Sequence, residues 1–380
     1  MRILIVSNYQ PPHMGGIEFA AGSLKRCWEE DGHEVTWMTT DIPRGAREST
    51  TDNVRISAGN IFEKLFQINS PVVSPFEYGR IVKEIESHDV VNPHSLAPGL
   101  ASLCLILALR RKRPVVATQH VGVIKLKWRL LDGVQRGVYR RMTRWSVDRG
   151  AKITFVGRAV RDWFSSMTRI PQDRFTMTPA GIDQDTFYFV PAEERKALRE
   201  KWQLADDRLN VLFVGRFYEK KGLPLLKAVA ERSPNVQFTL LGSGPIDAAA
   251  WALPNVRVLG FVKTEELREL YGSHDLFIMP SFGEGWPAVV PQAMACGLPC
   301  LISEETFEGF NQDPEQFLVR KRNADVLCET LNEAAAGRID LLKDRKSLSD
   351  YATSTWDWKK TARIYLDLFQ RAMGSRTATA

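Results

Sequence analysis

The chain has 380 residues, 44% of them hydrophobic and 25% charged, with a formal net charge of +6. That length exceeds one ordinary core and fits two domains of roughly 150–200 residues. The hydrophobic share excludes wholesale disorder, and no apolar run reaches the roughly 18–20 residues that span a bilayer.

The first predicted element is a buried strand at residues 3–6, a better reading of this apolar start than a signal peptide because no small-residue cleavage site follows. A helical stretch at 17–31 and strands at 34–38 and 89–91 come next. Residues 96–109 read as a buried helix with a basic end, Arg110 to Arg113. Strands at 114–118 and 152–156 complete a first set. After a charged segment at 191–208 the pattern restarts, with strands at 210–214, 236–241, 256–261, 275–279 and 299–303. Continuous apolar strands alternating with helices predict an α/β protein of two doubly wound, parallel-sheet domains. The expected boundaries are 1–185, a linker at 186–205, a second domain at 206–355, a last helix at 356–373 and a tail at 374–380.

Five cysteines (27, 104, 296, 300, 328) with no CxxC pair suggest reduced thiols and a cytoplasmic setting. The six histidines are scattered, so no zinc-type cluster is expected. Charge is concentrated: residues 1–185 carry 26 Lys and Arg against 19 Asp and Glu, the remainder 25 against 26, and residues 110–169 carry 16 against 3. The stretch 121–145 interleaves basic residues with Trp128, Leu130, Leu131, Val138, Tyr139, Met142 and Trp145. It suits an anionic membrane surface or a phosphate-bearing acceptor, or equally a domain helix with a solvated basic side. No recognised nucleic-acid module is present, so nucleic acid ranks low as a partner.

In doubly wound sheets ligands collect at the carboxyl ends of strands. Gly15 and Gly16 precede a helix and could admit an anion or make only a tight turn. Arg216 and Lys221 follow the 210–214 strand and could clamp a diphosphate, or form a solvated basic loop. Glu284 lies in a Gly-flanked loop where a carboxylate can accept hydroxyl hydrogen bonds, or serve only the strand–helix turn, which would leave the loop's composition unexplained; the next helix opens near Ala288.

Together these pieces resemble the retaining glycosyltransferases of family 4, which have the GT-B fold. Residues 11–18 (PPHMGGIE), 89–95 (DVVNPHS), 118–120 (TQH), 179–183 (PAGID), 214–222 (VGRFYEKKG), 240–245 (LLGSGP) and 284–297 (EGWPAVVPQAMACG) match that family's motifs in order. The resemblance implies two Rossmann-like domains facing a central cleft, with the last helix crossing back to the first domain. It implies that Arg216 and Lys221 bind the donor diphosphate, helped by Gly15, Gly16 and amides near Ala288 and Val289. Glu284, with Gly285 and Trp286 beside it, would contact the transferred sugar. His120 would lie near the sugar and acceptor, and the backbone near Val262 would meet the base. On this reading Glu284, His120, Arg216 and Lys221 are the catalytic set.

The second acid of the family's Glu-x7-Glu motif, its ribose ligand, is Gln292 here, and Pro287 stands where the family has glycine. The family's Gly-Gly pair is absent from 303–309. Gln292 keeps an acceptor oxygen for the ribose. The expected activity is transfer, with retention and no metal, from a UDP- or GDP-sugar co-substrate to a glycan, lipid-linked or small-molecule acceptor. No cofactor is expected, and a peripheral place on the inner membrane face through 110–169 is consistent with the charge. A non-catalytic sugar-nucleotide binder and a GT-B epimerase are the alternatives.

Overall fold

Ile3, Leu4, Ile5 and Val6 are wholly buried, as a strand covered on both faces must be. They form β1 (Arg2–Val6), which pairs in parallel with β2 (Glu34–Thr40), itself flanked by β3 (Asn53–Ile56). A short antiparallel pair, β4 (Ala58–Gly59) and β5 (Val72–Val73), follows. β6 (Val90–Pro93) then returns to the other side of β1, with Ile3 opposite Val90. A parallel bridge from Val91 to Val115 extends the sheet to β7 (Val116–Gln119), and β8 (Lys152–Phe155) and β9 (Phe175–Met177) continue it.

The computed structural model describes residues 1–10, 15–42, 50–60, 70–122, 129–310, 314–342 and 344–377. The chain divides into two units, Met1–Gly181 with Trp358–Ala380, and Ile182–Asp357. The second holds β10 (Leu209–Val214), β11 (Val236–Leu241), β12 (Val256–Gly260), β13 (Leu276–Met279), β14 (Cys300–Ser303) and β15 (Leu318–Arg320). All are parallel, in the order β12-β11-β10-β13-β14-β15. Renumbered, that is the 3-2-1-4-5-6 order of a Rossmann sheet. Both units are Rossmann-like.

The segment expected as a linker, 186–205, belongs to the second unit. Phe187 and Val190 are buried there, and the helix Ala192–Lys201 is anchored through charge. Arg199 donates to Asp275 at 3.1 Å and to the carbonyl of Ser273 at 3.1 Å, and Arg195 also pairs with Asp275. Charges that look solvated in one dimension are here partners across the fold.

The last helix, Trp358–Thr377, runs past residue 373 and packs on the first unit. Trp28, fully buried, meets Tyr365 and Phe369 edge-on at 5.7 and 5.1 Å, and its indole N–H donates to the Ala362 carbonyl at 3.2 Å. Each such buried side chain contributes about 1.5–3 kcal/mol. The Tyr365 hydroxyl reaches three neighbouring strands: Thr118 at 2.8 Å, Thr178 at 3.1 Å and Thr154 at 3.4 Å.

The basic helix Arg129–Asp148 divides by face. Tyr139, Thr143 and Ser146 are buried and Met142 and Trp145 pack on the core, while Arg136, Arg140, Arg141 and Arg144 are exposed. Val134 and Val138 are also outward, at 57% and 40% exposure. Residues 123–128, part of the same expected basic stretch, lie outside the described residues. None of the described helices is long and apolar enough to cross a membrane. The five cysteines are buried and free of disulfides.

Replacing Tyr365 by Phe leaves the hydroxyls of Thr118 and Thr178 without that partner in the interior. The expected loss is about 1–3 kcal/mol of stability, read as a lower unfolding midpoint by circular dichroism.

Candidate active site

Strand order in the second sheet reverses between β10 and β13, and the loops leaving those two strands carry the expected chemistry. After β10 the chain passes Gly215 and Arg216, makes a short 3-10 turn at Glu219–Lys221, and enters the helix Leu223–Arg232 through Gly222. Gly222 has φ +80°, and a Cβ there would clash with the Pro280 carbonyl, so only glycine lets the two loops touch. They are then joined by hydrogen bonds: Phe282 N–H to the Lys220 carbonyl at 3.0 Å, and the Ser281 hydroxyl to the Lys221 carbonyl at 3.5 Å. From below, the Ser303 and Thr306 hydroxyls both donate to the Ser281 carbonyl, at 2.6 and 3.2 Å.

This joint brings Lys221 and Glu284 together, with Nζ 2.9 Å from each carboxylate oxygen. Glu284 is 8% exposed. The ammonium is shared by the two oxygens, donating to Oε2, and Oε1, itself buried, meets no other donor among the described residues. A carboxylate held by a single ammonium keeps lone pairs that can accept from a hydroxyl.

Lys221 also runs past Gly215, its Cδ 3.9 Å from where a Cβ would stand. Gly215 opens onto a cavity of about 290 Å³ lined by Val214, Arg216, Leu241, Gly242, Phe261 and Val262 among others. Gly242 has φ +139°, and a Cβ there would clash with the Gly215 carbonyl; the two strand ends close on each other only without a side chain. Arg216 is exposed on the cavity's rim, and no described residue bonds its guanidinium. A larger hollow of about 680 Å³ opens at the amino end of the sheet, between Asp207, Arg208, Asp275 and Asp340. It is remote from the strand ends where such sheets bind ligands, so volume alone does not mark the site.

Other expected site residues are placed differently. Trp286 packs edge-on against Phe310 at 4.9 Å and Trp356 at 6.0 Å, as part of the unit's core. The helix Val289–Ala295 has only seven residues, and the Ala288 amide already donates to the Trp286 carbonyl at 3.1 Å. Gly285 and Val289 are half-buried beside the Glu284 loop, and Gln292 lies half-buried one turn into the helix.

Gly15, Gly16 and His120 belong to the first unit. Gly15 caps the helix Gly16–Glu30 and lies under the Glu18 carboxylate, which occupies the place a Cβ would take. The rest of that loop, 11–14, is outside the described residues. His120 follows β7, and its Nε2 is 3.0 Å from Nδ1 of His94, which follows β6. His94 was not among the expected site residues; the signal lay in two histidines each ending a predicted strand, since those strands prove to be neighbours. Burial lowers the pKa of His120 to about 4 and that of His94 well below its usual value, with the neighbouring His120 adding to the latter.

With the site's geometry in place, two family models match the chain: "Glycosyltransferase Family 4" over residues 14–186 and "Glycosyl transferases group 1" over 208–336. The chain belongs to the family-4-like glycosyltransferases of the GT-B fold. It is 26% identical to the alpha-monoglucosyldiacylglycerol synthase of Acholeplasma laidlawii, over 98% of each chain. It is 25% identical to a GDP-mannose-dependent alpha-(1-6)-phosphatidylinositol monomannoside mannosyltransferase of Mycobacterium tuberculosis, over 97% of this chain and 98% of that one. Among solved structures, Anabaena HepE in complex with UDP superposes with a TM-score of 0.73 at 15% identity, covering 98% of this glycosyltransferase and all of HepE.

His94, His120 and the buried His274, whose pKa burial also lowers to about 4, stay neutral in the folded state where unfolded histidines take up protons near pH 6.5. The unfolded state therefore binds more protons between about pH 6.5 and 4, and stability falls as pH drops through that window. The melting temperature should be level above pH 7 and decline steadily from pH 6.5 to 4.5. A flat profile would contradict the neutral histidines.

Proposed function

We propose that this glycosyltransferase transfers a hexose, with retention of anomeric configuration and without a metal ion, from a UDP- or GDP-sugar to a hydroxyl of a lipid-linked acceptor at an anionic membrane surface. The observation that carries the reading is the Lys221–Glu284 pair, in which a buried carboxylate has one ammonium as its only donor among the described residues. Sugar hydroxyls can donate to the lone pairs that the carboxylate has left, and Lys221 is a cation for the adjoining diphosphate. The glycine-lined cavity beside Arg216 has the size and apolar walls for a base and part of a ribose, with Val262 on its wall and Gln292 assigned to the ribose.

The chemistry assigned to these groups is electrostatic. As the bond from the anomeric carbon to the diphosphate breaks, negative charge grows on the leaving oxygens, and Arg216 and Lys221 stabilise it. Glu284 orients the sugar through its hydroxyls. The acceptor hydroxyl attacks from the face the diphosphate leaves, and a leaving phosphate oxygen takes its proton, which yields retention without a protein nucleophile. Several relatives named for glycolipid synthesis support the lipid-linked acceptor, as does the outward face of Arg129–Asp148, where Val134 and Val138 sit among arginines. A peripheral place on the cytoplasmic leaflet follows from this reading.

The direct test incubates the protein with UDP- and GDP-sugars and a diacylglycerol or phosphoinositide acceptor, and reads the product's anomeric configuration by NMR. Glu284→Ala should lower turnover by at least about a hundredfold with its melting temperature kept. An inverted product, or full activity in the variant, overturns the assignment; donor conversion without acceptor would indicate an epimerase, and nucleotide binding without turnover a non-catalytic binder. The membrane component is tested separately. Sedimentation should recover more protein with phosphatidylglycerol vesicles than with phosphatidylcholine vesicles, and the difference should shrink in high salt. Equal recovery removes the membrane surface from the proposal.

A further inference from the structure

A line of buried polar groups crosses the carboxyl edge of the first sheet, and its hydrogen-bond polarity can be followed atom by atom. It starts at the Val116 main-chain carbonyl, which can only accept. The Asn92 side-chain amide nitrogen donates to it at 2.6 Å and lies 3.3 Å from the Thr118 hydroxyl. The amide's orientation is thereby fixed, and Asn92 Oδ1 is left as an acceptor. His94 Nε2 is 2.8 Å from that oxygen and must carry the proton of this bond. In neutral His94 the other nitrogen, Nδ1, is then a bare acceptor. His120 Nε2 stands 3.0 Å from it, with the ring planes 25° from parallel and the centroids 5.1 Å apart. His120 must therefore donate from Nε2, and its own Nδ1 holds a lone pair that no described residue engages.

We infer that Asn92 and His94 are positioning residues that lock His120 in its Nε2–H tautomer, so that Nδ1 is presented as a hydrogen-bond acceptor to a substrate hydroxyl. The inference rests on the transferase reading for the identity of that hydroxyl, but the tautomer itself does not depend on it. Asn92 and His94 are buried, at 0% and 1% exposure, while His120 is only partly covered. This is the layout of a side chain that meets ligand, backed by two that cannot. The low pKa values of both histidines agree with the neutral states the polarity requires. Thr118, beside Asn92, is also bonded to Tyr365 at 2.8 Å, so the last helix helps to fix the start of the line.

The test uses the full-length chain labelled with 15N. Long-range proton–nitrogen correlation at pH 7.5, with His120→Gln to assign the signals, should find the His120 proton on Nε2 and a bare Nδ1. His94→Phe removes the acceptor, and should both mix the His120 tautomers and lower kcat by about 10–100-fold. That scale is the one known for partners that orient metal-bound histidines. Affinity for UDP or GDP, whichever raises the melting temperature, should be unchanged. In His94→Asn the amide oxygen can stand near the position of Nδ1, and this variant should keep the Nε2–H signature and most of kcat. A wild-type His120 protonated on Nδ1, or on both nitrogens, overturns the inference. So does an equal loss of kcat in both variants with the tautomer unmoved. If His94→Phe does not fold, the wild-type spectrum and His94→Asn decide alone. The tautomer is read without substrate: a wrong tautomer leaves the transferase reading standing, and the expected tautomer with no transfer to any acceptor counts against that reading alone.

Discussion

At the carboxyl edge of the second sheet, main chain meets main chain at points where no side chain fits. Gly242 closes on the Gly215 carbonyl, Gly244 on the Phe217 main chain and Gly222 on the Pro280 carbonyl. These approaches bring the loops after β10, β11 and β13 within hydrogen-bond reach, and everything chemical in that unit follows from them. Lys221 can meet Glu284 only because Phe282 and Ser281 are already tied to the Lys220 and Lys221 carbonyls. The cavity beside Arg216 is narrow and apolar because its walls are glycine backbone and aliphatic strand ends. A rigid frame of this kind holds charged groups in place before a ligand arrives, which is where electrostatic stabilisation gains most.

The first unit uses a different device. Its carboxyl edge is ordered by side chains rather than by close backbone, through a line of hydroxyls, an amide and two imidazoles. Each member is satisfied by the next, as buried polar groups must be. The line is directional because it begins at a carbonyl that can only accept, and one end is anchored by a tyrosine from a helix far along the chain.

Much of this architecture was legible in the sequence. Buried strands announce themselves as continuous apolar runs, and glycines at their ends mark turns, so both Rossmann-like units and the loops bearing Arg216, Lys221 and Glu284 could be read locally. What escaped was what depends on strand adjacency. His94 and His120 look scattered until β6 and β7 are known to be neighbours. Trp286, set in a glycine-rich loop, reads as a ligand contact alone, while the fold also packs it edge-on against Phe310 and Trp356. The charged stretch 191–208 resembles a linker until Asp275 is placed opposite Arg195 and Arg199. In each case the missing information is a partner distant in sequence, which local pattern does not encode.

The last helix makes the first unit discontinuous in the chain, and this bears on how the protein is made. Domains generally fold as units, beginning with those synthesised first. Here the first 181 residues cannot be completed when they leave the ribosome, because the surface around Trp28 and the three threonine hydroxyls wait for residues beyond 357. The second unit, continuous from Ile182 to Asp357, has all its strands earlier. Biosynthetic order is thus inverted: the half begun first is finished last, and the apolar surface around Trp28 stays uncovered for the time taken to translate the half between.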